Sequence, residues 1–233
     1  MCIRDSYKIL KGLVYRALFF CMNIIHRGIA NKKLKENCFK SFKVSFNKKY
    51  GIETDIHFTK DNKIICFHDF TLNRLFKINK SVKNLHYDEI KNKTKSKISV
   101  PLLKDVLKLS KKKYLVFIEI KPILNLRNIK ILLNEIKNYK NCVIISFIHS
   151  NLFKIRKINK KVKIGFSFSK SSKISDIIKA SYKKNYEYLI LDKFFISNKS
   201  IRNFKKNKYF YTIKEKKEFL KYNKNFNLIF ENL

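Results

Sequence analysis

Glu53 and Asp55 stand two apart in GIETDIHF (51–58), so on an extended strand both carboxylates project to one face. Like charges held that close repel unless something positive lies between them. Glu119 ends a second β-rich run, YLVFIEIK (114–121), with Lys121 two residues on. Three carboxylates from the ends of two strands suit one hard divalent cation, Mg²⁺ or Ca²⁺. His26 and Arg27 close an earlier run, and His68 closes KIICFH (63–68). Two histidines beside a carboxylate-bound cation, with Arg27 and Lys121 close by, suit phosphate-ester cleavage. The cation and the basic side chains offset phosphate charge, and the imidazoles exchange protons near neutral pH. Each signal has a blander counterpart: an E-x-D pair is more often a solvated face, and a strand-end histidine more often a structural hydrogen bonder. Strands covered on both faces make solvation an awkward account of two acids.

The elements that must position these groups are legible as alternation. Strand-like runs cover 22–27, 51–58, 63–68, 114–121, 142–147, 162–168, 186–191, 208–213 and 227–231. Helical patterns lie near 37–49, 102–112, 126–139, 150–158, 173–184, 198–206 and 214–223. This order argues for parallel βα units. Nine runs are one too many for a closed eight-stranded barrel. Too few residues separate the second and third runs for a parallel crossover, and Asp61-Asn62 is a two-residue hairpin signal. A two-residue loop pairs Lys60 with Lys63 and sets Asp55 opposite His68. The expected fold is therefore α/β, a (β/α)8 barrel with an extra hairpin strand after the second barrel strand. The Lys-, Asn- and Ser-rich stretch 77–99 reads as a short surface insertion.

With 233 residues, 45% of them hydrophobic, the chain has the makings of one globular domain. We expect residues 22–233 to form it, with residues 1–21 a dispensable extension whose apolar run is interrupted by Arg16. The formal net charge of +37 is spread over the whole length. Together with abundant Asn, Ile and Phe, it reads first as compositional drift and second as a surface that favours weak association with anionic membranes. No zinc finger, RNP-type stretch or single basic helix is present, so no specific nucleic-acid partner is expected. Five cysteines without a CxxC or metal spacing read as buried free thiols of a cytoplasmic protein.

The stretches HRGIANKKLKENCFKSF (26–42), GIETDIHFTKDNKIICFHDFTLNRL (51–75), VPLLKDVL (100–107), FIEIKP (117–122) and IISF (144–147) together resemble the glycerophosphodiester phosphodiesterase family. The resemblance implies a metal-dependent TIM-barrel hydrolase that cuts glycerophosphodiesters into glycerol 3-phosphate and an alcohol. Carried onto matching positions, it makes His26 and His68 the acid–base pair. It likewise makes Glu53, Asp55 and Glu119 the ligands of one Mg²⁺ or Ca²⁺, and Arg27 and Lys121 the phosphate binders. Asn62 stands where the family has a turn glycine and Leu102 where it has threonine. YTIK (211–214) replaces a Trp-Thr-Val-Asn pattern, leaving Tyr211 to wall the glycerol, and Glu231 is an acidic equivalent near the C-terminus. Glu36 and Asn37 belong to the pattern, with helix capping a sufficient account of Asn37. His57 shares the parity of Glu53 and Asp55 further out, His149 belongs at the mouth or at a helix start, and His86 is expected in solvent. Two other readings compete: a lysophospholipase D-like or sphingomyelinase D-like enzyme acting on membrane lipid, and a non-enzymatic basic binding protein on a decayed barrel.

Overall fold

The structure, a computed structural model, describes residues 23–94 and 99–231. The expected extension at 1–21 lies outside the described residues. Nine strands form one sheet: β1 (Ile24–His26), β2 (Gly51–Phe58), β3 (Ile64–Cys66), β4 (Val116–Ile120), β5 (Cys142–Ser146), β6 (Lys163–Phe168), β7 (Tyr188–Asp192), β8 (Asn207–Ile213) and β9 (Asn227–Phe230). All except β3 run parallel, and β1 pairs with both β9 and β2, which closes an eight-stranded barrel. β3 folds back antiparallel on β2 outside the barrel.

The outer layer holds α1 (Phe39–Asn47), α2 (Asn73–Phe76), α3 (Tyr87–Thr94), α4 (Leu103–Leu109), α5 (Leu126–Ile136), α6 (His149–Ile158), α7 (Ile174–Ser181), α8 (Lys199–Arg202) and α9 (Lys216–Tyr222). The period of two along each strand sorts its side chains into two cores. Ile52, Ile118, Ile144, Phe166, Leu189 and Phe210 face outward and pack against helices. Ile24, Phe117, Val143, Ile145, Ile190, Tyr209 and Ile229 fill the barrel. The next inward positions along the chain on β1, β2 and β4 are His26, Glu53 and Glu119, and the one just past β9 is Glu231. The polar groups thus rest on an apolar plug at the C-terminal ends of the strands, where barrels of this kind carry their sites.

The hairpin differs from its expected register. Ile56, His57 and Phe58 pair with Cys66, Ile65 and Ile64. Thr59 N–H donates to Lys63 O (3.0 Å), so the loop holds three residues, 60–62, and not two. Asn62 takes the left-handed backbone (φ +59°) at the third loop position, the usual geometry of a three-residue hairpin. Asp55 O consequently accepts from Phe67 N–H (2.9 Å), and His68 is not its cross-strand partner.

The stretch 77–99 is also more than surface. Val82, Leu85 and Ile90 join Ile65, Phe67, Leu72, Phe76 and Val100 in a small third core over the hairpin. Asp61 ties it down, accepting from Thr59 Oγ1 (2.6 Å) and from Tyr87 N–H (3.0 Å) at the start of α3. Lysine- and asparagine-rich composition masks three apolar residues whose burial needs the hairpin as a partner.

One outer-layer group carries a stability prediction. Glu135 on α5 has a buried Oε1 with no hydrogen-bond partner, and burial raises its carboxyl to about 7. A carboxyl whose folded pKa exceeds its unfolded value near 4.5 costs stability as pH rises from that value through the folded one. Glu135 should therefore contribute a loss of stability between about pH 4.5 and 7, and Glu135→Gln should remove that contribution from the profile. The gain at pH 8 should be about 1–2 kcal/mol, discounted because the group is partly exposed. Denaturant unfolding of both proteins at pH 5 and pH 8 checks this.

Candidate active site

After β1 the chain turns sharply. Arg27 (φ +56°) and Gly28 (φ +74°) are both left-handed, and a Cβ on Gly28 would lie 2.7 Å from Ser41 Oγ. The turn folds the Arg27 side chain back over the barrel mouth. Its Nε lies 3.0 Å from Asp55 Oδ2 as an ion pair not aligned as a hydrogen bond, and its Nη1 donates to Glu36 Oε1 (3.3 Å).

Glu53, Asp55 and Glu119 each offer an oxygen such that these atoms lie within 4.8 Å of one another. Parallel pairing of β2 with β4 sets Asp55 directly beside Glu119. Burial, then the neighbouring carboxylates of Asp55 and Glu119, hold the Glu53 carboxyl well above its ordinary range. Burial and Asp55 likewise raise Glu119. Burial pushes Asp55 the same way, but Arg27 and Lys121 outweigh it and keep Asp55 ionised. Lys121 Nζ donates to Glu119 Oε1 (2.7 Å) and lies 3.5 Å from Asp55 Oδ1. Glu53 Oε1 and Asp55 Oδ1 are buried without a hydrogen-bond partner. Two such oxygens on separate acids, converging with a third carboxylate, fit a hard divalent cation, since buried polar atoms ordinarily find partners.

The two histidines are built alike. His26 Nδ1 faces Glu231 Oε2 at 3.0 Å, and His68 Nδ1 faces Asp69 Oδ1 at 2.7 Å. A carboxylate only accepts, so each Nδ1 carries the hydrogen and each Nε2 is left for chemistry. His26 Nε2 lies 3.8 Å from Glu53 Oε2. The hydrogen bond from His26, with help from Lys214, holds Glu231 down at about 2, so it stays charged. Asp69 is also lowered: Arg74 and His68 overcome its burial. Arg74 Nη2 donates to Glu36, which links the His68–Asp69 pair to Arg27. Burial lowers His68, against the pull of Asp55 and Asp69.

His26, Arg27, Glu53, His68, Glu119, Lys121 and Tyr211 all line one cavity of about 430 Å³. Asp55 is fully buried and is not on the cavity wall. Tyr211 O–H donates to Phe168 O (2.9 Å), and its ring stands edge-on to Phe147.

Several contributors differ from what the sequence alone leads one to expect. Asn37 is not a helix cap: Cys38 caps α1, accepting from Ser41 N–H at 3.4 Å. Asn37 takes a left-handed backbone (φ +49°), donates to Asp55 Oδ2 (3.0 Å) and accepts from Thr54 Oγ1 (2.8 Å). His57 Nε2 donates to His68 O (3.1 Å) and so tethers the loop carrying that histidine. Lys214 pairs with Glu231 (2.8 Å), so two departures from the family pattern answer each other. His149 lies 3.0 Å from Ser167 O and caps no helix, and His86 is exposed. Cys38, Cys66 and Cys142 are buried free thiols. Among the described residues no helix is long and apolar enough to cross a membrane.

Solved structures of the same architecture are numerous. A glycerophosphodiester phosphodiesterase from Thermotoga maritima matches with TM-score 0.78 and 22% identity, over 90% of this chain and 93% of that one. An Oleispira antarctica phosphodiesterase, solved in complex with the product sn-glycerol-3-phosphate, matches with TM-score 0.77 and 18% identity, over 92% and 94%. At those identities the likeness shows the fold alone. Among curated sequences, a glycerophosphodiester phosphodiesterase of Caldanaerobacter subterraneus is 32% identical over 62% of this chain and 65% of its own length. The uncharacterized protein YqiK of Bacillus subtilis is 39% identical over 41% of this chain and 43% of its own. The chain thus spans less than two thirds of either curated relative. The sequence model of the glycerophosphoryl diester phosphodiesterase family matches residues 26–224, and the chain belongs to that family.

Proposed function

We propose that the protein hydrolyses glycerophosphodiesters to glycerol 3-phosphate and an alcohol. One observation carries the reading: Glu53 and Glu119, which with buried Asp55 could share a cation, line the same cavity as two carboxylate-backed histidines. Family membership and the product in the Oleispira relative point to the same substrate class.

Glu53, Asp55 and Glu119 would hold one divalent cation, Mg²⁺ or Ca²⁺. Bound there, it would supply Lewis-acid polarisation of a phosphoryl oxygen. Arg27 and Lys121 add fixed positive charge for the phosphate, while Tyr211 walls the glycerol. His68, kept neutral by burial, takes the proton from the attacking hydroxyl at Nε2; that hydroxyl belongs to water, or to the glycerol, in which case a water then opens the resulting cyclic phosphate to glycerol 3-phosphate. His26 returns a proton from Nε2 to the leaving alkoxide, with ionised Glu231 as counter-charge to the imidazolium.

The test is a panel of glycerophosphocholine and glycerophosphoethanolamine with Mg²⁺ or Ca²⁺, read as glycerol 3-phosphate release. Metal-dependent release is expected; intact substrate with every metal would overturn the reading. A second reading, cleavage of a lysolipid, is favoured by Phe70 (56% exposed), Ile123 (72%) and Phe194 (69%), which follow the C-terminal ends of their strands amid a basic surface. Co-sedimentation with anionic vesicles at low salt supports that reading, and its absence removes it. The buried thiols suit a reducing, cytoplasmic compartment.

A further inference from the structure

A second cavity, about 860 Å³, opens beside the first between the ends of β5 and β6 and the helices α6 and α7. Phe147 and Ser167 line both, so the two share a wall. Ser167 is 2% exposed, and its Oγ has no hydrogen-bond partner. A buried hydroxyl left unpaired where two cavities meet is costly unless something else accepts from it or donates to it.

Beyond Ser167 the chain reads SFSKSSKIS (167–175) into the start of α7, whose N-cap residue, Lys173, makes no side-chain cap. Lys173, Lys179 and Lys183 line this cavity against a single carboxylate, Asp176. Lys183 Nζ is held 4.6 Å from the Phe153 ring centroid and 5.7 Å from that of Phe166, which fixes its ammonium at the wall. Three ammoniums, serine hydroxyls and an uncapped helix start are donors to an anion. They are a poor surround for a quaternary ammonium, which would meet like charge.

Resting on the hydrolase reading, we propose that this cavity receives the leaving alcohol and selects diesters whose alcohol carries its own anionic group. Ser167 hydrogen-bonds the alcohol near the scissile ester, and Lys173 and Lys183 pair with its anion.

The test compares kcat/KM for glycerophosphocholine, glycerophosphoserine and glycerophosphoinositol 4-phosphate, the last two separating a carboxylate from a phosphate as the anion read. Either anionic diester should be preferred over the choline ester by about tenfold or more, the effect of one charge-assisted hydrogen bond. Lys183→Ala and Lys173→Ala should each cut that ratio by about as much, and Lys183→Arg should restore it. A preference for choline, or an unchanged ratio in both alanine variants, would overturn the proposal. If no diester is cleaved, the hydrolase reading fails. The subsite then stands or falls on calorimetric binding of inositol 4-phosphate alone, which must weaken about tenfold in Lys183→Ala.

Discussion

His26→Ala should lower kcat for glycerol 3-phosphate release by about 10²–10⁴-fold, the range for losing a positioned acid or base. His68→Ala should do the same, and the double variant should fall little further than either single one, because groups that act as a unit are not additive. Stability should scarcely move, since both side chains stand at the cavity and not in the apolar core. Glu231→Gln keeps the shape but offers His26 Nδ1 a neutral partner, so it should cost about tenfold in kcat with little change in KM. The acidic limb of the kcat/KM profile should lie below the ordinary histidine value of 6.5, because burial lowers His68. A catalytic base must be neutral, and a lowered pKa extends the neutral range downward. An acidic limb well above 6.5 would reassign the base.

Glu53→Gln should separate stability from activity. In the absence of a cation, Glu53 is forced toward its protonated form by burial and by Asp55 and Glu119. A neutral amide ends that repulsion, keeps an acceptor for Arg27 N–H, and gives the orphaned Oε1 position a donor toward its acidic neighbours. The chelated variant should therefore be more stable than chelated wild type by about 1–3 kcal/mol. At this chain length that is roughly 2–12 °C in Tm. Adding Mg²⁺ or Ca²⁺ should raise the wild-type Tm and leave the variant's nearly unchanged, while its activity drops by about 10³-fold or more. A variant no more stable than wild type in chelator would mean that the three acids do not strain the cation-free fold.

Much of this arrangement is legible in the sequence, for reasons that can be located. Period-two alternation places Glu53 and Asp55 on one face, and the barrel's parallel register brings Glu119 beside Asp55. The short 58–63 connection excludes a crossover, which identifies β3 as an addition and leaves eight strands for closure. The exact hairpin register is not legible, because Asn62 is as compatible with a left-handed third loop position as with a two-residue turn. Nor is the Asn37–Asp55 bond, since it needs a left-handed residue eleven positions past β1 to reach into the barrel. Glu231 with Lys214 looks like erosion of the family pattern until β8 and β9 stand side by side. Then the pair anchors His26. The Val82–Leu85–Ile90 core is hidden for the opposite reason, because long-range packing contradicts its local composition.

In the proposed mechanism Glu53, Asp55 and Glu119 hold a divalent cation without which the histidines do not cleave the diester. The most direct test is glycerol 3-phosphate release from glycerophosphocholine by wild-type protein before chelation, after it, and after Mg²⁺ or Ca²⁺ is restored. The rate should fall by about 10³-fold or more in chelator, several kcal/mol of transition-state stabilisation, and recover on adding the metal back. A chelated enzyme that turns over at the untreated rate would contradict the mechanism.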